Sequence, residues 1–217
     1  MNVTEAVATR KSVRAFTSEP VANELVADLL TRAARAPSGG NLQPWRMFII
    51  SGETMPKFQN FIENSDINDS PAYAIYPQEL KSPYRDSRFK VGEDMYALLG
   101  IPREDKPARF AHLARNYEFF DAPVGLFCFV DKQMGPPQWS DLGMFLQTFM
   151  LLAREAGLDT CAQEAWAMRA NTVSAFVGAD EDLMLFCGMA LGYQDQDKPV
   201  NTLASDREPL DLWAKFL

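Results

Sequence analysis

Two short segments combine the residue types that bind a phosphorylated ring compound. The first, Arg10–Arg14 (RKSVR), places three cations and a hydroxyl within five residues. The second, Ala36–Trp45 (APSGGNLQPW), contains a Ser-Gly-Gly-Asn turn that offers backbone N–H groups to a ligand. Guanidinium groups pair with a dianionic phosphate, and backbone amides meet the polar atoms of a ring. Together the two segments predict a site for a phosphorylated cofactor with a polar ring system.

Each segment alone also has an ordinary structural interpretation. Arg10, Lys11 and Arg14 could end a helix, where cations complement the helix macrodipole, and Gly39-Gly40 could form a helix C-cap. Their combination favours the anion site, because two arginines spaced by four residues can grip a phosphate beside free backbone amides. Neither a GxGxxG spacing nor a Walker-type lysine loop follows any predicted strand, so a Rossmann-type nucleotide site is not expected.

The cysteines and the single histidine argue against several other kinds of chemistry. Cys128, Cys161 and Cys187 lie far apart in apolar contexts without CxxC spacing, so we expect buried, reduced thiols and no thiolate metal site. The chain has one histidine, His112, which excludes a histidine-rich metal site and most Ser-His or Cys-His catalysis. Since no orienting partner is evident, we expect His112 on a helix surface.

Composition and charge narrow the function classes further. The chain has 217 residues and a formal net charge of −8, which disfavours binding to nucleic acid or to an anionic membrane. The residues from Met1 to Ala6 do not begin a targeting segment, and the apolar stretch from Met144 to Ala153 contains Gln147 and Thr148. We therefore expect a cytoplasmic protein that forms one domain over residues 1–217.

Periodicity predicts the elements that position these residues. Helices are expected at about residues 2–9 and 22–35, the second with an apolar face at three- and four-residue spacing. Apolar runs at residues 46–50, 124–130 and 183–191 predict three buried central strands.

Patterns in the rest of the sequence predict a buried helix, a segment that covers a site, and a subunit interface. Residues 139–158 form a helix pattern that is apolar nearly all round. The long segment at about 63–121, with helical patches near 88–99 and 106–119, is expected to cap a site or to carry an interface. The terminal residues 207–217 expose Leu, Trp and Phe unless they pack on another chain, so we expect a dimer.

The chain resembles the FMN-dependent nitroreductase family. The resemblance rests on six motifs in order: Arg10–Arg14, Ala36–Trp45, Asp141–Gly143, Gly157–Thr160, Gly188–Tyr193 and Arg207–Leu210. Three further segments are similar to the bacterial subgroup that includes nitrobenzoate reductases: Glu93–Lys106, Arg115–Phe120 and Gln163–Trp166. The motifs span nearly the whole chain.

The resemblance implies an α+β fold with a central, mostly antiparallel sheet wrapped by helices, in an intertwined homodimer with two FMN sites. One implied group of residues holds the phosphate and the pyrimidine edge of FMN: Arg10, Lys11, Ser12 and Arg14, with Arg207 as a second phosphate contact. A second group reaches the same flavin from the partner subunit: Pro37, Ser38, Gly39 and Asn41. A third matches the segment whose backbone amide faces the flavin N5: Gln163, Glu164 and Ala165.

The implied activity is reduction of nitroaromatic, quinone-like or related electron-poor compounds by NADH or NADPH in a ping-pong cycle. The flavin carries this chemistry, so neither a catalytic side chain nor a metal is expected. Two alternatives stay open: another flavin reaction such as dehalogenation, enone reduction or ring oxidation, and a non-catalytic flavin-binding protein.

Overall fold

Four antiparallel strands form the sheet on which the rest of the chain packs. The computed structural model describes residues 1–66 and 69–217. Its helices and strands follow one another in this order: α1 (Val3–Thr9), α2 (Asn23–Ala33), β1 (Arg46–Ser51), α3 (Thr54–Glu63), α4 (Tyr84–Leu98), α5 (Lys106–Ala114), β2 (Val124–Asp131), α6 (Pro136–Glu155), β3 (Asp159–Gln163), α7 (Ala170–Val177) and β4 (Leu183–Gly192). Short 3₁₀ turns occupy Gly39–Asn41, Arg115–Asp121, Glu164–Arg169, Pro199–Thr202 and Leu210–Leu212.

The sheet has the strand order β1-β2-β4-β3, and every neighbouring pair is antiparallel. The predicted central strands β2 and β4 are confirmed, with Cys128 opposite Cys187 in their register. The prediction that the run at 46–50 is a central strand is wrong, because β1 lies at one edge and is only partly buried. An apolar run alone does not distinguish an edge strand that is covered on one face from a central one.

The opposite edge strand, β3, was not predicted as a strand, since its residues Asp-Thr-Cys-Ala-Gln show no apolar run. It is nevertheless buried, and the polar side chains of Asp159 and Gln163 lie inside the protein with partners. The N-terminal segment covers its free edge, because the Val13 N–H donates to the Thr160 carbonyl at 3.0 Å. This contact brings residues 10–16 to the sheet.

Two apolar cores lie on the two faces of the sheet. One face packs against α2 and α6 through residues such as Leu29 and Phe145. The other packs aromatic side chains around Trp166, which is fully buried. Gly188 lies beneath the Trp166 indole, where a Cβ would come 2.1 Å from its Cδ1 atom. The strand therefore needs glycine at this position.

The predicted helices occur in the expected regions of the chain, but their first and last residues differ from the prediction. α2 and α6 occupy the predicted regions, although α6 begins and ends three residues earlier than expected. α5 ends at Ala114, and the chain continues in a 3₁₀ turn where Phe119 and Phe120 adopt positive φ. α3 and α7 were not predicted. Across residues 1–66 and 69–217, no helix has the length and apolar character needed to cross a membrane.

Candidate functional site

A cleft of about 540 Å³ lies between the β3 edge of the sheet and the helices α4 and α5. This volume is within the range of small-molecule and cofactor sites, about 300–1,000 Å³. Its lining combines cations, aromatic rings and backbone from five parts of the chain, including Arg14, Tyr76, Arg88, Phe89, Glu93, Tyr96, His112, Asn116, Phe120, Cys161, Gln163, Glu164, Ala165 and Leu203.

Arg14 is the predicted cation that reaches the cleft, and a buried amide fixes its backbone. Its N–H donates to the Oδ1 of Asn201 at 2.9 Å, while Asn201 Nδ2 donates to the carbonyls of Ala15 at 2.8 Å and Asp195 at 2.9 Å. The Arg14 guanidinium donates to the Ser12 carbonyl at 3.3 Å. Among the described residues no carboxylate lies within 4.0 Å of it. Its charge is available to an anionic or electron-rich ligand.

The cleft floor is the turn that follows β3, and it brings together the predicted residues Gln163, Glu164 and Ala165. Gln163 is buried, and its Nε2 donates to the Asn116 carbonyl at 2.8 Å while its Oε1 accepts from Trp166 Nε1 at 3.4 Å. Because both ends of this amide are engaged inside the protein, Gln163 anchors the turn. The exposed residue that follows, Glu164, and the half-buried Ala165 also line the cleft.

An ion pair connects the two helices of the outer wall. Arg109 on α5 donates to both carboxylate oxygens of Glu93 on α4, at 2.5 and 3.2 Å, and its guanidinium lies 4.1 Å from the centre of the Tyr96 ring. The hydrogen bonds from Arg109 hold the pKa of Glu93 below its ordinary value. Glu93 lines the cleft, but its charge is already paired, so it does not neutralise Arg14.

The expectation that His112 lies on a helix surface is wrong. It lies on α5, but its ring is half-buried between Tyr96 and Phe120, with both ring centroids at 6.1 Å. Burial first, and then the charges of Arg14 and Arg115, lower the pKa of the imidazole. The residue turns inward because that face of α5 packs against α4 and the following aromatic turn.

The other predicted residues of the first segment, Arg10, Lys11 and Ser12, are not part of the described cleft lining. Lys11 Nζ donates to the Asn201 carbonyl, and Ser12 bridges to Thr160 on β3. Arg207 lies in a separate hollow beside Lys90, which pairs with Asp206 at 2.8 Å.

The glycine turn is held against another part of the fold. The Gly39 N–H donates to the buried Asp141 carboxylate at 3.2 Å, which fixes the turn on α6. Pro37, Ser38 and Asn41 share this location, and the described cleft lining includes none of them. A single chain thus carries the two predicted halves of the site in different places.

The three cysteines are free and buried, as predicted. Burial raises the pKa of Cys161, which borders the cleft, to about 11, although the charge of Arg14 acts in the opposite direction. Burial raises the pKa of Cys128 to about 12. These thiols are protonated at neutral pH and have little thiolate character.

Comparison with known proteins assigns the family. The sequence profile of the nitroreductase family matches residues 7–193, most of the chain. The chain belongs to the nitroreductase family. It is 36% identical over 213 residues to a 4-nitrobenzoate reductase of Pseudomonas putida, covering 97% of this chain and 93% of that protein. It is 32% identical to a nitrobenzene nitroreductase of Ectopseudomonas oleovorans, covering 99% of this chain and 96% of the relative.

Solved nitroreductase structures have the same fold as this chain. An FMN and NADPH-dependent nitroreductase NfnB from Sphigopyxis sp. strain HMH superposes with a TM-score of 0.95 at 45% identity, covering 100% of this chain and 99% of that one. The FMN-dependent nitroreductase NfnB from Mycobacterium smegmatis, in complex with NADPH, superposes with a TM-score of 0.92 at 25% identity and covers 100% of both chains. The α+β nitroreductase fold predicted from the motifs is therefore confirmed.

The sequence predicted that the segment at about 63–121 caps a site or carries an interface, but it did not identify the residues of this nitroreductase that form the outer wall. Tyr76 precedes α4, and Arg88 and Tyr96 lie on α4, whose local pattern is only weakly amphipathic. His112 carried one available signal, because it is the single histidine of the chain. These contacts join side chains from different helices and turns, so spacing along the chain does not reveal them.

Proposed function

We propose that this nitroreductase is an FMN-dependent oxidoreductase that uses NADH or NADPH to reduce nitroaromatic or quinone-like compounds. The observation that carries the proposal is the Arg14 guanidinium, which has no carboxylate partner among the described residues and lies with the turn Gln163–Ala165 in a cleft with aromatic walls. The relatives and solved neighbours named above support the substrate class and the two cofactors.

The residues present fit FMN by their chemistry. The unpaired cation of Arg14 suits the electron-rich pyrimidine edge of a flavin, and the turn after β3 offers backbone N–H groups to the ring. Arg10, Lys11 and Ser12 adjoin the same β3 edge, where their charges and hydroxyl suit a terminal phosphate. We assign Arg207 as the second phosphate contact. When bound, FMN supplies hydride transfer and two-electron chemistry.

The chain itself contributes orientation and charge. Arg14 lies where it stabilises negative charge that develops on the ring system during reduction, an electrostatic role that needs no general base. Gln163 holds the backbone turn in place through its contacts with Asn116 and Trp166.

We further propose that two chains complete each site. Pro37, Ser38, Gly39 and Asn41 are then supplied by the partner subunit, which accounts for their distance from the cleft lining of their own chain. The terminal segment supports a dimer, because Leu212, Trp213 and Phe216 are 68%, 66% and 88% exposed in a single chain. Apolar surface of this kind marks a protein interface.

Cofactor analysis followed by steady-state kinetics tests the proposal. The purified protein is expected to be yellow, to release FMN and not FAD, and to oxidise NADPH or NADH when 4-nitrobenzoate or nitrobenzene is present. A ping-pong cycle predicts parallel lines in double-reciprocal plots at several acceptor concentrations. Recovery of FAD, failure of the pigment-free protein to take up FMN, or a flavoprotein that reduces none of these acceptors contradicts the proposal.

A further inference from the structure

We propose that His112 is an additional cofactor-binding residue whose Nδ1–H donates a hydrogen bond to a ring carbonyl oxygen of FMN. The inference rests on the proposed function, since it takes FMN as the ligand of the cleft. It begins from the position of the ring: His112 lines the cleft together with Arg14, Asn116 and Gln163. A flavin that meets Arg14 with its pyrimidine edge presents carbonyl oxygens to this same region.

The two nitrogens of the imidazole differ in their surroundings. Nε2 is enclosed by protein atoms and has no hydrogen-bond partner among the described residues. The hydrogen bonds of residues 1–66 and 69–217 include none from Nδ1 either, although the residue borders the cleft. A histidine that serves only as core packing usually satisfies at least one ring nitrogen. Here neither ring nitrogen has a partner among the described residues, and since Nε2 is enclosed, Nδ1 is the nitrogen left for a ligand of the cleft.

The charges around the ring determine which nitrogen carries the proton. The positive charges of Arg14 and Arg115 act on the imidazole, while Glu93, the acidic residue of α4 that lines the cleft, is paired with Arg109. Positive charge and burial therefore keep the ring neutral at neutral pH, with a single N–H. An N–H at Nε2 would be a buried donor without an acceptor, whereas the positive charges of Arg14 and Arg115 favour a lone pair on this enclosed nitrogen. The proton accordingly resides on Nδ1, which makes His112 a donor to the cleft.

Nuclear magnetic resonance tests this assignment directly, because the chain has one histidine and its imidazole signals need no further assignment. Uniformly ¹⁵N-labelled, pigment-free protein is titrated with FMN at pH 7.5. We expect ¹⁵N shifts typical of a neutral ring protonated at Nδ1, and an Nδ1–H signal that moves downfield and exchanges more slowly once FMN is bound. Unchanged imidazole signals in the FMN-loaded protein, or a proton on Nε2, overturn the proposal.

Variants separate a hydrogen-bonding role from a packing role. His112→Asn keeps an N–H donor near the Nδ1 position, whereas His112→Leu keeps apolar volume and removes the donor. The Kd for FMN, measured by flavin fluorescence, is expected to rise about fivefold in His112→Leu and to stay near wild type in His112→Asn. Lys106→Ala at the exposed start of α5 is the control and leaves the Kd unchanged. An equal loss in Asn and Leu variants overturns the proposal.

The FMN titration also distinguishes a failure of the His112 contact from a failure of the proposed function. Wild-type protein that binds no FMN refutes both, whereas FMN-loaded protein with an unperturbed His112 refutes the inference alone. A signal that moves only after 4-nitrobenzoate is added to the FMN-loaded protein assigns the contact to the substrate and overturns the FMN assignment. If His112→Leu does not fold, the wild-type titration decides by itself.

Discussion

Replacing Gly188 by alanine should destabilise the fold and loosen the cofactor site together. Gly188 lies on the central strand β4, and a Cβ there would come 2.1 Å from Cδ1, 2.8 Å from Cγ and 2.9 Å from Nε1 of Trp166. The indole is fully buried and has ring neighbours on several sides, including Phe58, Phe119 and Phe127. It therefore has no open space into which it can move, and either the strand or the turn Glu164–Arg169 must shift.

The expected size follows from this overlap. Overpacking a close-packed core costs about 1–3 kcal/mol, and a contact near 2 Å with an enclosed ring belongs at the upper end, about 3 kcal/mol. For a chain of this length, each kcal/mol lowers Tm by about 2–4 °C. Thermal unfolding of Gly188→Ala, followed by circular dichroism, should therefore show a Tm about 6–12 °C below wild type. FMN content should fall too, because Trp166 donates to Gln163 beneath the cleft floor.

Two further variants make the test specific. Gly92→Ala on α4 adds the same methyl group where no heavy atom lies within 4 Å, so it should stabilise the protein by about 0.5–1 kcal/mol. Combining Gly188→Ala with Trp166→Leu should cost less than the sum of the two single changes, because the smaller side chain removes the overlap. A Gly188→Ala protein that melts within 1 °C of wild type, or strictly additive losses, would show that the reasoning is wrong.

Three other predictions concern charge and assembly. Arg14→Ala should weaken FMN binding and slow flavin reduction by more than Lys106→Ala does, which equilibrium titration and stopped-flow absorbance measure; equal values in the two variants contradict this. Deleting residues 212–217 should dissociate the dimer and lower FMN retention, whereas an FMN-loaded monomer, or an unaltered dimer, in sedimentation would exclude this role. Because Arg109 lowers the pKa of Glu93, their pair stabilises the fold above the unfolded pKa of a glutamate and loses this effect as the pH falls. The stability difference between wild type and Glu93→Gln should thus shrink on acidification in denaturant titrations, and a difference that is independent of pH refutes it.

The sequence predicted those parts of the fold whose stability comes from continuous apolar patterns. The strands β2 and β4 carry such patterns because they are the central strands of the sheet, and the helices α2 and α6 carry them because they pack on one of its faces. The order of the motifs along the chain was enough to predict the family and a mostly antiparallel sheet, but it revealed neither β3 nor the edge position of β1. Arg14 was also predictable, since its cationic neighbours and the nearby turn are local features of the sequence.

The missing parts depend on contacts between distant segments. β3 is buried although it carries Asp159 and Gln163, because Arg154 pairs with the carboxylate at 3.0 Å and Asn116 accepts from the amide. No local pattern indicates that these polar side chains have partners. The same holds for His112, whose inward position follows from the packing of α5 on α4. It also holds for β1, because its edge position depends on pairing with β2 alone among the described strands.

A common physical feature connects the predicted and the unpredicted residues of the site. Asn201 and Gln163 are both buried amides, and each uses its side chain to fix backbone next to the cleft. Glu93, an acidic group of the cleft, is paired with Arg109. In a chain with a net charge of −8, this arrangement leaves the Arg14 guanidinium, on a backbone that Asn201 holds in place, without a carboxylate partner in residues 1–66 and 69–217. A positive charge that is placed before the ligand arrives requires little reorganisation when negative charge develops nearby, and this is the electrostatic requirement of flavin reduction. The electrostatics of the site therefore depend on the ion pair between Glu93 and Arg109 as much as on the cations of the Arg10–Arg14 segment.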